Sequence, residues 1–419
     1  MKFGNPTVLF LIVFLDMLGF SIIFPIFPKI LNFYLQNGDP LAAEFLKVFS
    51  SFSSKETGNT VLLGGILGSI YAVLQFIFAP VWGSLSDRYG RKPLMVWTGF
   101  GNLFGYLIWL FSGSFSLFIL SRTVTGAMGG SISVASAAMA DATNEKDRTK
   151  GMGMIGAGIG LGFVFGPPFG GISSEWNFSF LNNSSNPAAV PAFLSVLIAL
   201  LCLSSCILFF KETAPFGSQE IRRHPIFSFS AVRGKDIAQV IAVYFIYTFG
   251  FSGFEFCLNF YLNDSFQFTP KQIGMSFVMM GGIIVLVQGG IIRRISGKIP
   301  VKKICTAGLF LLGFGFLLLS AVSDIYSVYA GLCFLSAGSA FLNPGLSSMA
   351  SLFSGADEQG KNLGIMRGFG SLARACAPGT YSLVYWSLGG RSIFAVSFIM
   401  VFIGWLFLLK TREPDRKNA

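Results

Sequence analysis

Charged side chains are scarce in this sequence of 419 residues, where Asp, Glu, Lys and Arg together make up 12%. A soluble domain carries about 25% charged residues, whereas the hydrophobic share here is 53%. The deficit excludes the two or three soluble domains that the length alone would suggest, and it favours an all-α protein that crosses a membrane many times. The net charge of +11 lies in short segments between apolar runs, which argues against nucleic acid as a partner.

Histidine is nearly absent, and the one histidine, His224, lies in a polar loop. A proton relay inside the membrane must therefore use carboxylates. The six cysteines lie in or at the edges of apolar runs, without the spacing of a disulfide framework or a metal site, so we interpret them as small core residues. No metal, cofactor, catalytic nucleophile or phosphate-binding loop is predicted, which argues against an enzyme.

Twelve apolar runs reach the length of about 20 residues that a membrane-spanning helix needs. They cover, approximately, residues 6–32, 60–83, 93–112, 116–140, 151–173, 190–210, 237–263, 272–293, 302–321, 326–349, 361–386 and 391–410. We expect two pseudo-symmetric six-helix bundles, residues 1–212 and 237–419, joined by a cytoplasmic loop at 213–236. A short interfacial helix is predicted at Leu41–Phe52.

Most lysines and arginines fall in loops on the side of the N-terminus. The positive-inside rule then predicts that both termini are cytoplasmic, in the inner membrane if the source is bacterial. The second half echoes the first, because Gly290–Lys298 is a degenerate version of Gly83–Pro93 and the two loops follow Gln75 and Gln288 at similar depths. Related halves are typical of transporters that alternate access around a central site. We therefore predict that both glutamines contact substrate.

The loop Gly83–Pro93 packs four charges into six residues between two apolar runs. Gly83 allows close approach of another helix, and Gly90 permits a sharp reversal. Asp141 ends the fourth run on the same side, within expected reach of Arg88 or Arg91, so a pairing there would latch a gate. The predicted gate residues here are Gly83, Asp87, Arg88, Gly90, Arg91 and Asp141.

Besides Lys29, which we assign to the outer side, two charges lie inside apolar runs of the first half, where a charge is costly unless paired or hydrated. Asp16 lies near the middle of the first run, ahead of Pro25 and Pro28, which we expect to bend its outer part. It is either a proton-coupling or substrate-contacting carboxylate, or a structural one paired with an arginine. Arg122 in the fourth run is a candidate partner of Asp16 and a candidate substrate ligand; the alternative is a static structural role.

Polar residues in the second half form two helical stripes. The seventh run places Glu255 and Asn259 on one face, and the eleventh places Arg367, Ser371 and Arg374 on another. Glu255 is the second candidate for proton coupling, and it can neutralise one arginine. The cation that remains favours an anionic substrate, with these arginines, Ser371 and Asn259 in contact with it; alternatively, Arg367 reaches the membrane surface.

The fifth run is rich in glycine, with the spacing Gly153-x8-Gly162-x3-Gly166-Pro167-x2-Gly170-Gly171. Glycines at this density leave a groove for a neighbouring helix, and proline kinks a helix. We predict that Gly166 and Pro167 take part in gating.

These motifs resemble the drug/proton antiporter branch of the major facilitator superfamily, which includes bacterial tetracycline exporters. The matching stretches are Asp16–Pro28, Gly83–Lys92, Arg122 with Gly126, and Gly153–Gly171. Further stretches resemble the animal tetracycline-transporter-like members, which are described as organic-anion transporters: Leu63–Ser69, Val73–Phe76 with Ala79–Pro80, Phe251–Glu255 and Arg367–Pro378. The resemblance implies that Gly83 and Asp87 pack against the eleventh helix when the inner side is closed. It also implies that Asp16, Arg122, Glu255 and Arg374 face the cavity.

We therefore expect a monomeric secondary transporter in the lipid bilayer that works by alternating access and exchanges protons for amphipathic organic anions. One alternative is a proton-coupled exporter of neutral or cationic lipophilic drugs of the tetracycline kind. Another is a receptor or scaffold without transport activity, against which the intramembrane charges argue because a scaffold does not need them.

Overall fold

The computed structural model describes residues 4–50, 58–181, 186–213, 234–295, 297–321, 324–354 and 359–414. All helices and helical turns in these residues fit the predicted all-α class, and no strand occurs among them. The first half contains α1 (Asn5–Ser21), α2 (Phe27–Gln36), α3 (Pro40–Ser50), α4 (Asn59–Tyr89), α5 (Arg91–Leu110), α6 (Phe115–Met128), α7 (Ser131–Asp141), α8 (Glu145–Ser173) and α9 (Ala189–Phe209). The second half contains α10 (Lys235–Phe266), α11 (Pro270–Leu286), α12 (Arg293–Ile295), α13 (Val301–Ser320), α14 (Ile325–Leu352), α15 (Gln359–Leu388) and α16 (Ser392–Lys410). Helix α3 lies where a short helix was predicted at Leu41–Phe52, and its place at the membrane interface stays a prediction.

Ten helical segments of the described chain are long and apolar enough to cross a membrane. The two other predicted spans are α5 and α15, with 20 and 30 residues. At 1.5 Å per residue each reaches the roughly 30 Å of a hydrocarbon core, but polar residues such as Arg367 and Arg374 lower the hydropathy of α15. The fold is that of an all-α membrane protein, and the predicted count of twelve spans is consistent with it.

The chain divides into two compact units, Met1–Arg223 with Leu262–Val278, and His224–Tyr261 with Met279–Ala419. The predicted boundaries at 212/213 and 236/237 stay a prediction. Most of the predicted loop at 213–236, including His224, lies outside the described residues.

Several predicted spans are interrupted. The first one changes direction through a 3-10 turn at Phe24–Ile26 between α1 and α2, where Pro25 and Pro28 were expected to bend it. The fourth span is present, but its helix breaks at Gly129–Gly130 between α6 and α7. A π turn at Val287–Ile292 interrupts the eighth span.

The indole of Trp82 explains the break between α6 and α7. Its Nε1 donates a hydrogen bond of 2.7 Å to the carbonyl of Ala127, and its ring lies where a Cβ on Gly130 would be. Gln75, also on α4, donates through Nε2 to the carbonyl of Gly129 at 3.1 Å. Two side chains of α4 thus bind the carbonyls that the interrupted helix leaves free.

Glycine rows bring helix backbones together in both units. In the first unit, a Cβ on Gly158 would lie 3.1 Å from the carbonyl oxygen of Phe10, so α8 packs directly on the α1 backbone. In the second unit, a Cβ on Gly308 would lie 3.0 Å from the oxygen of Gly338, and the reverse distance is 2.7 Å. Small residues at such crossings allow the van der Waals packing that holds helices together in lipid.

Candidate transport site

Asp16 is held by neutral hydrogen-bond donors from two other helices. Asn102 on α5 donates through Nδ2 to Oδ1 at 3.0 Å, and Ser131 donates through its hydroxyl to Oδ2 at 2.5 Å. The pairing of Asp16 with Arg122 that the sequence suggested is wrong for this structure, since no ion pair within 4 Å joins them among the described residues. The carboxylate can therefore change its protonation state without separating an ion pair.

The position of Ser131 adds to this environment. It is the first residue of α7, and the positive end of a helix dipole favours an anion nearby. The break at Gly129–Gly130 is what places a helix N-terminus inside a membrane span, an arrangement that transporters use at their ion and substrate sites.

A small cavity adjoins Asp16 on the side of α5 and α9. It is lined by Asn102, Tyr106 and Cys202 as well as Asp16, and it measures about 10 Å³. This is close to the space that a single water molecule needs.

Arg122 lies in an aromatic setting and only 3% of it is exposed. Its guanidinium carbon is 5.0 Å from the ring centre of Trp109 and 5.7 Å from that of Phe118. Nη2 donates to the hydroxyl of Ser121 at 3.1 Å, while the buried Nε has no hydrogen-bond partner. Cation–π contacts offset part of the cost of burying this charge, but no carboxylate within 4 Å neutralises it among the described residues.

The predicted gate loop centres on Arg91, whose side chain is 10% exposed. Nη1 contacts Oδ1 of Asp87 at 2.6 Å and Nε contacts Oδ2 of Asp141 at 2.8 Å. Nη1 also donates to the hydroxyl of Ser86 at 2.7 Å. Of the two arginines considered for Asp141, the structure thus pairs Arg91, whereas Arg88 lies 5.2 Å from the ring centre of Tyr89.

Glu212 joins this loop from the end of the sixth span, and the sequence analysis missed it. Oε1 accepts the backbone N–H of Arg91 and Oε2 that of Lys92, both at 2.9 Å. The carboxylate thus caps the N-terminus of α5, where an anion is favoured. Gly90 has a φ of +96°, and a Cβ there would lie 2.7 Å from Oε2 of Glu212.

Two of the three predicted gate glycines, Gly83 and Gly166, differ in how tightly they pack. A Cβ on Gly83 would lie 3.1 Å from the hydroxyl of Ser133 on α7, whereas one on Gly166 would overlap the hydroxyl of Ser21 and lie 2.8 Å from the carbonyl of Leu18. Ser21 itself donates to the carbonyl of Gly162 at 2.9 Å. Gly166 is therefore needed for the close contact of α8 with α1.

At the other end of the first unit, α8 abuts the start of α11. A Cβ on Gly171 would overlap the carbonyl of Pro270, and one on Gly274 would lie 2.9 Å from the carbonyl oxygen of Pro167. Lys271 forms an ion pair of 2.9 Å with Glu175 beside this contact. The backbone contact and the ion pair together hold the end of α8 against the start of α11.

In the second unit, Glu255 on α10 interacts electrostatically with Arg374 on α15. Asn259 is 2% exposed and donates through Nδ2 to the carbonyls of Glu255 and Phe256 at 3.1 and 3.2 Å. Its buried Oδ1 has no hydrogen-bond partner. In this structure Asn259 is thus bound to its own helix and has one acceptor left for a ligand.

On the predicted polar face of α15, Arg367, Ser371 and Arg374 are all exposed. Arg374 donates through Nη2 to the hydroxyl of Ser371 at 3.2 Å, and Ser371 donates to the carbonyl of Arg367 at 3.1 Å. No ion pair within 4 Å involves either arginine in the part of the chain that is described. Gln288 is exposed within the π turn, a feature frequent at functional sites.

A family model described as the Major Facilitator Superfamily matches residues 9–323 and 291–419. The chain belongs to the major facilitator superfamily. It is therefore a multi-pass integral membrane protein and a transporter of small molecules, not an enzyme, and the family predicted from the motifs is confirmed.

Similar superfamily members are known from animals and bacteria. Major facilitator superfamily domain-containing protein 10 of Mus musculus is 31% identical over 441 residues, which cover 97% of this chain and 92% of the relative. The class H tetracycline resistance protein of Pasteurella multocida is 25% identical over 410 residues, or 94% of this chain and 95% of the relative.

Among solved structures, the crystal structure of the human organic anion transporter MFSD10 (TETRAN) aligns with a TM-score of 0.75 and 30% identity, over 96% of this chain and 98% of that one. The D-xylose-proton symporter aligns with a TM-score of 0.74 at 16% identity, over 99% of each chain; this second likeness shows the fold alone.

Proposed function

We propose that this transporter exports amphipathic organic anions in exchange for protons, works by alternating access as a monomer, and has both termini in the cytoplasm. The observation that carries the proposal is that Arg122, Arg367 and Arg374 form no ion pair within 4 Å in the described parts of the spans. Arg374 is exposed beside Ser371, and Glu255 is the carboxylate that acts on it over a longer distance. The planar fork of arginine suits bidentate contact with a carboxylate or sulfonate.

Arg122 strengthens this argument within the first unit. It is buried, lacks an ion pair among the described residues and keeps Nε without a partner. An uncompensated cation in a span is costly, so an anion that reaches the guanidinium lowers the free energy of the site. The human MFSD10 protein is named an organic anion transporter, which agrees with this chemistry.

We assign proton exchange to Asp16. Its two partners, Asn102 and Ser131, are neutral, and they come from helices other than α1. If α7 withdraws during transport, the carboxylate loses a donor and the favourable helix terminus, and both losses favour its protonated form. Glu255 serves as the second proton-coupling carboxylate.

We assign the two gates to the two clusters of contacts at opposite ends of the first unit, one around Arg91 and the other around Gly171. The ion pairs of Arg91 stabilise the cytoplasmic gate loop, whose members are Gly83, Asp87, Arg88, Gly90, Arg91 and Asp141. The contact of Gly171 with Pro270, together with the ion pair of Glu175 and Lys271, stabilises the opposite gate, to which Gly166 and Pro167 belong.

The test is flux into liposomes that contain the purified protein. The same aromatic scaffold is offered as a carboxylate, as its neutral methyl ester and as a cationic amine, each with and without a pH gradient. The proposal expects a pH gradient to drive accumulation of the carboxylate and to have little effect on the ester. Equal transport of all three would refute anion selectivity, and carboxylate flux that ignores the gradient would refute proton exchange.

A proton-coupled exporter of neutral or cationic drugs is the second candidate. The tetracycline resistance relatives, which align over nearly the whole chain, favour it. The flux experiment separates the two, because this candidate expects the ester or the amine to be the driven substrate.

A further inference from the structure

A second cavity lies in the first unit, at the helix ends opposite the gate loop. Its volume is about 400 Å³, within the range of roughly 300–1,000 Å³ typical of sites for drug-sized ligands. Its walls come from α2, from Pro187 shortly before α9, and from the end of α10, the start of α11 and the turn that joins them. None of the lining residues belongs to the polar stripes already described.

One face of α2 supplies the polar groups. Lys29, Asn32, Phe33 and Gln36 follow the spacing i, i+3, i+4 and i+7 and all line the cavity, as residues on one side of a helix do. Asn32 uses its Oδ1 to accept a hydrogen bond from Thr60 at 3.1 Å, so its amide group remains a donor. Three donors, one of them charged, therefore lie along a single helix face.

The opposite wall is shaped by the turn before α11, whose polar groups bond within the turn itself. Gln267 has a φ of 52° and donates through Nε2 to the carbonyl of Asp264 at 3.2 Å. Thr269 and Gln272 exchange hydrogen bonds of 2.9 and 3.3 Å. Phe268 is buried, with 2% exposed, so the apolar surface of the cavity comes from the partly buried Phe33, Pro187 and Pro270.

The charge of Lys29 is not neutralised within the cavity. It is the one ionisable side chain of the lining, and it forms no ion pair within 4 Å among the described residues. Asp39, close by in sequence, uses both oxygens elsewhere, because Oδ1 accepts from the N–H groups of Leu41 and Ala42 and Oδ2 from that of Phe115. The neighbouring Lys271, by contrast, is paired with Glu175.

We infer that this cavity is a second binding site for an amphipathic organic anion, with the carboxylate or sulfonate on Lys29, Asn32 and Gln36 and the apolar body against Phe33 and the two prolines of the lining. A cation with two amide donors matches a single anionic group, and an aromatic ring with two prolines matches a hydrophobic body. The ligand class rests on the proposed function, whereas the site itself rests on the cavity and its unpaired lysine.

The experiment is photolabelling of the full-length chain with an aryl-azide derivative of an aromatic carboxylate, followed by mass spectrometry of the labelled peptides. We expect labels on residues 29–36 and 267–270. Lys29→Gln lowers the yield of these labels roughly tenfold, because the variant loses one hydrogen bond to a charged group. Lys47→Gln, which removes an exposed lysine outside the cavity, leaves the yield unchanged. The methyl ester of the probe labels these residues weakly.

Absence of label on both peptides would overturn the inference, as would equal labelling of the native protein and the Lys29→Gln variant, or by carboxylate and ester. The outcome is separable from the proposed function. If liposomes show no selective anion flux while labelling still depends on Lys29, the second site stands and the transport proposal falls. If flux is anion-selective and the label is absent, the transport proposal stands and the second site falls.

Discussion

Glu212 offers the sharpest structural prediction, because one side chain caps a helix that begins in the gate loop. Glu212→Ala removes both hydrogen bonds of 2.9 Å to the first N–H groups of α5. Loss of an N-terminal cap costs about 0.5–2 kcal/mol, and loss of a carboxylate at the helix dipole adds about 0.3–1 kcal/mol. We therefore expect a loss of stability of roughly 1–3 kcal/mol for the first unit.

The assay is thermal unfolding of the purified protein in detergent, followed by the loss of the monodisperse peak in size-exclusion chromatography. At about 2–4 °C per kcal/mol for a unit of this size, the midpoint should fall by roughly 2–12 °C. Glu212→Gln should recover part of the loss, since an amide keeps one acceptor oxygen. Transport should slow as well, because the turn at Gly90 loses its anchor.

Glu413 provides a matched control, because it follows the last helix of the second half as Glu212 follows the last helix of the first half. It is exposed, so Glu413→Ala should leave the midpoint within about 2 °C, as expected for a surface substitution. An unchanged midpoint for Glu212→Ala, or an equal fall for Glu413→Ala, would refute the capping argument.

Three other substitutions test the proposed site and its packing. Arg374→Ala should weaken binding of the carboxylate substrate by roughly 1.5–3 kcal/mol, the value of a hydrogen bond to a charged group, and binding of the neutral ester much less; Arg374→Lys should recover only part, and equal losses for both ligands in a binding titration would mean a structural role. Asp16→Asn should abolish accumulation driven by a pH gradient but keep some counterflow exchange, and variants that still accumulate substrate would move proton coupling to Glu255. Gly166→Ala should lower stability by about 1–3 kcal/mol through overpacking against α1, while Gly160→Ala, with no atom within 4 Å of the added Cβ, should not; similar melting of the two variants would contradict the packing argument.

Much of the fold was predictable because the membrane reduces the problem to counting apolar runs. Hydropathy and short motifs located the helices, the bend at Pro25 and Pro28, and the gate loop with its arginines. Such features depend on residues that are close in sequence, where propensity and spacing decide the outcome.

The partners of Asp16 were not predictable in the same way. Asn102 and Ser131 lie 86 and 115 residues away in the chain, so only the packing of α1, α5 and α7 brings them to the carboxylate. A signal was present, since Asn102 is a polar residue in the middle of an apolar run. The Gly129–Gly130 pair also marked a weak point in the fourth span, but it is the docked indole of Trp82 that makes the break.

Helix α4, which contains Pro80, connects the gate loop with the helix break beside the carboxylate site. It runs without interruption from Asn59 to Tyr89, and it carries Trp82 directly before Gly83. Because Trp82 holds the broken end of α6, a displacement of the gate loop moves the indole, and the indole moves the break that positions Ser131. The proposed exchange of a proton for a substrate needs a physical link between the two sites, and α4 offers one: the ion pairs of Arg91 act at its end, while its Trp82 holds the break after which Ser131 meets Asp16.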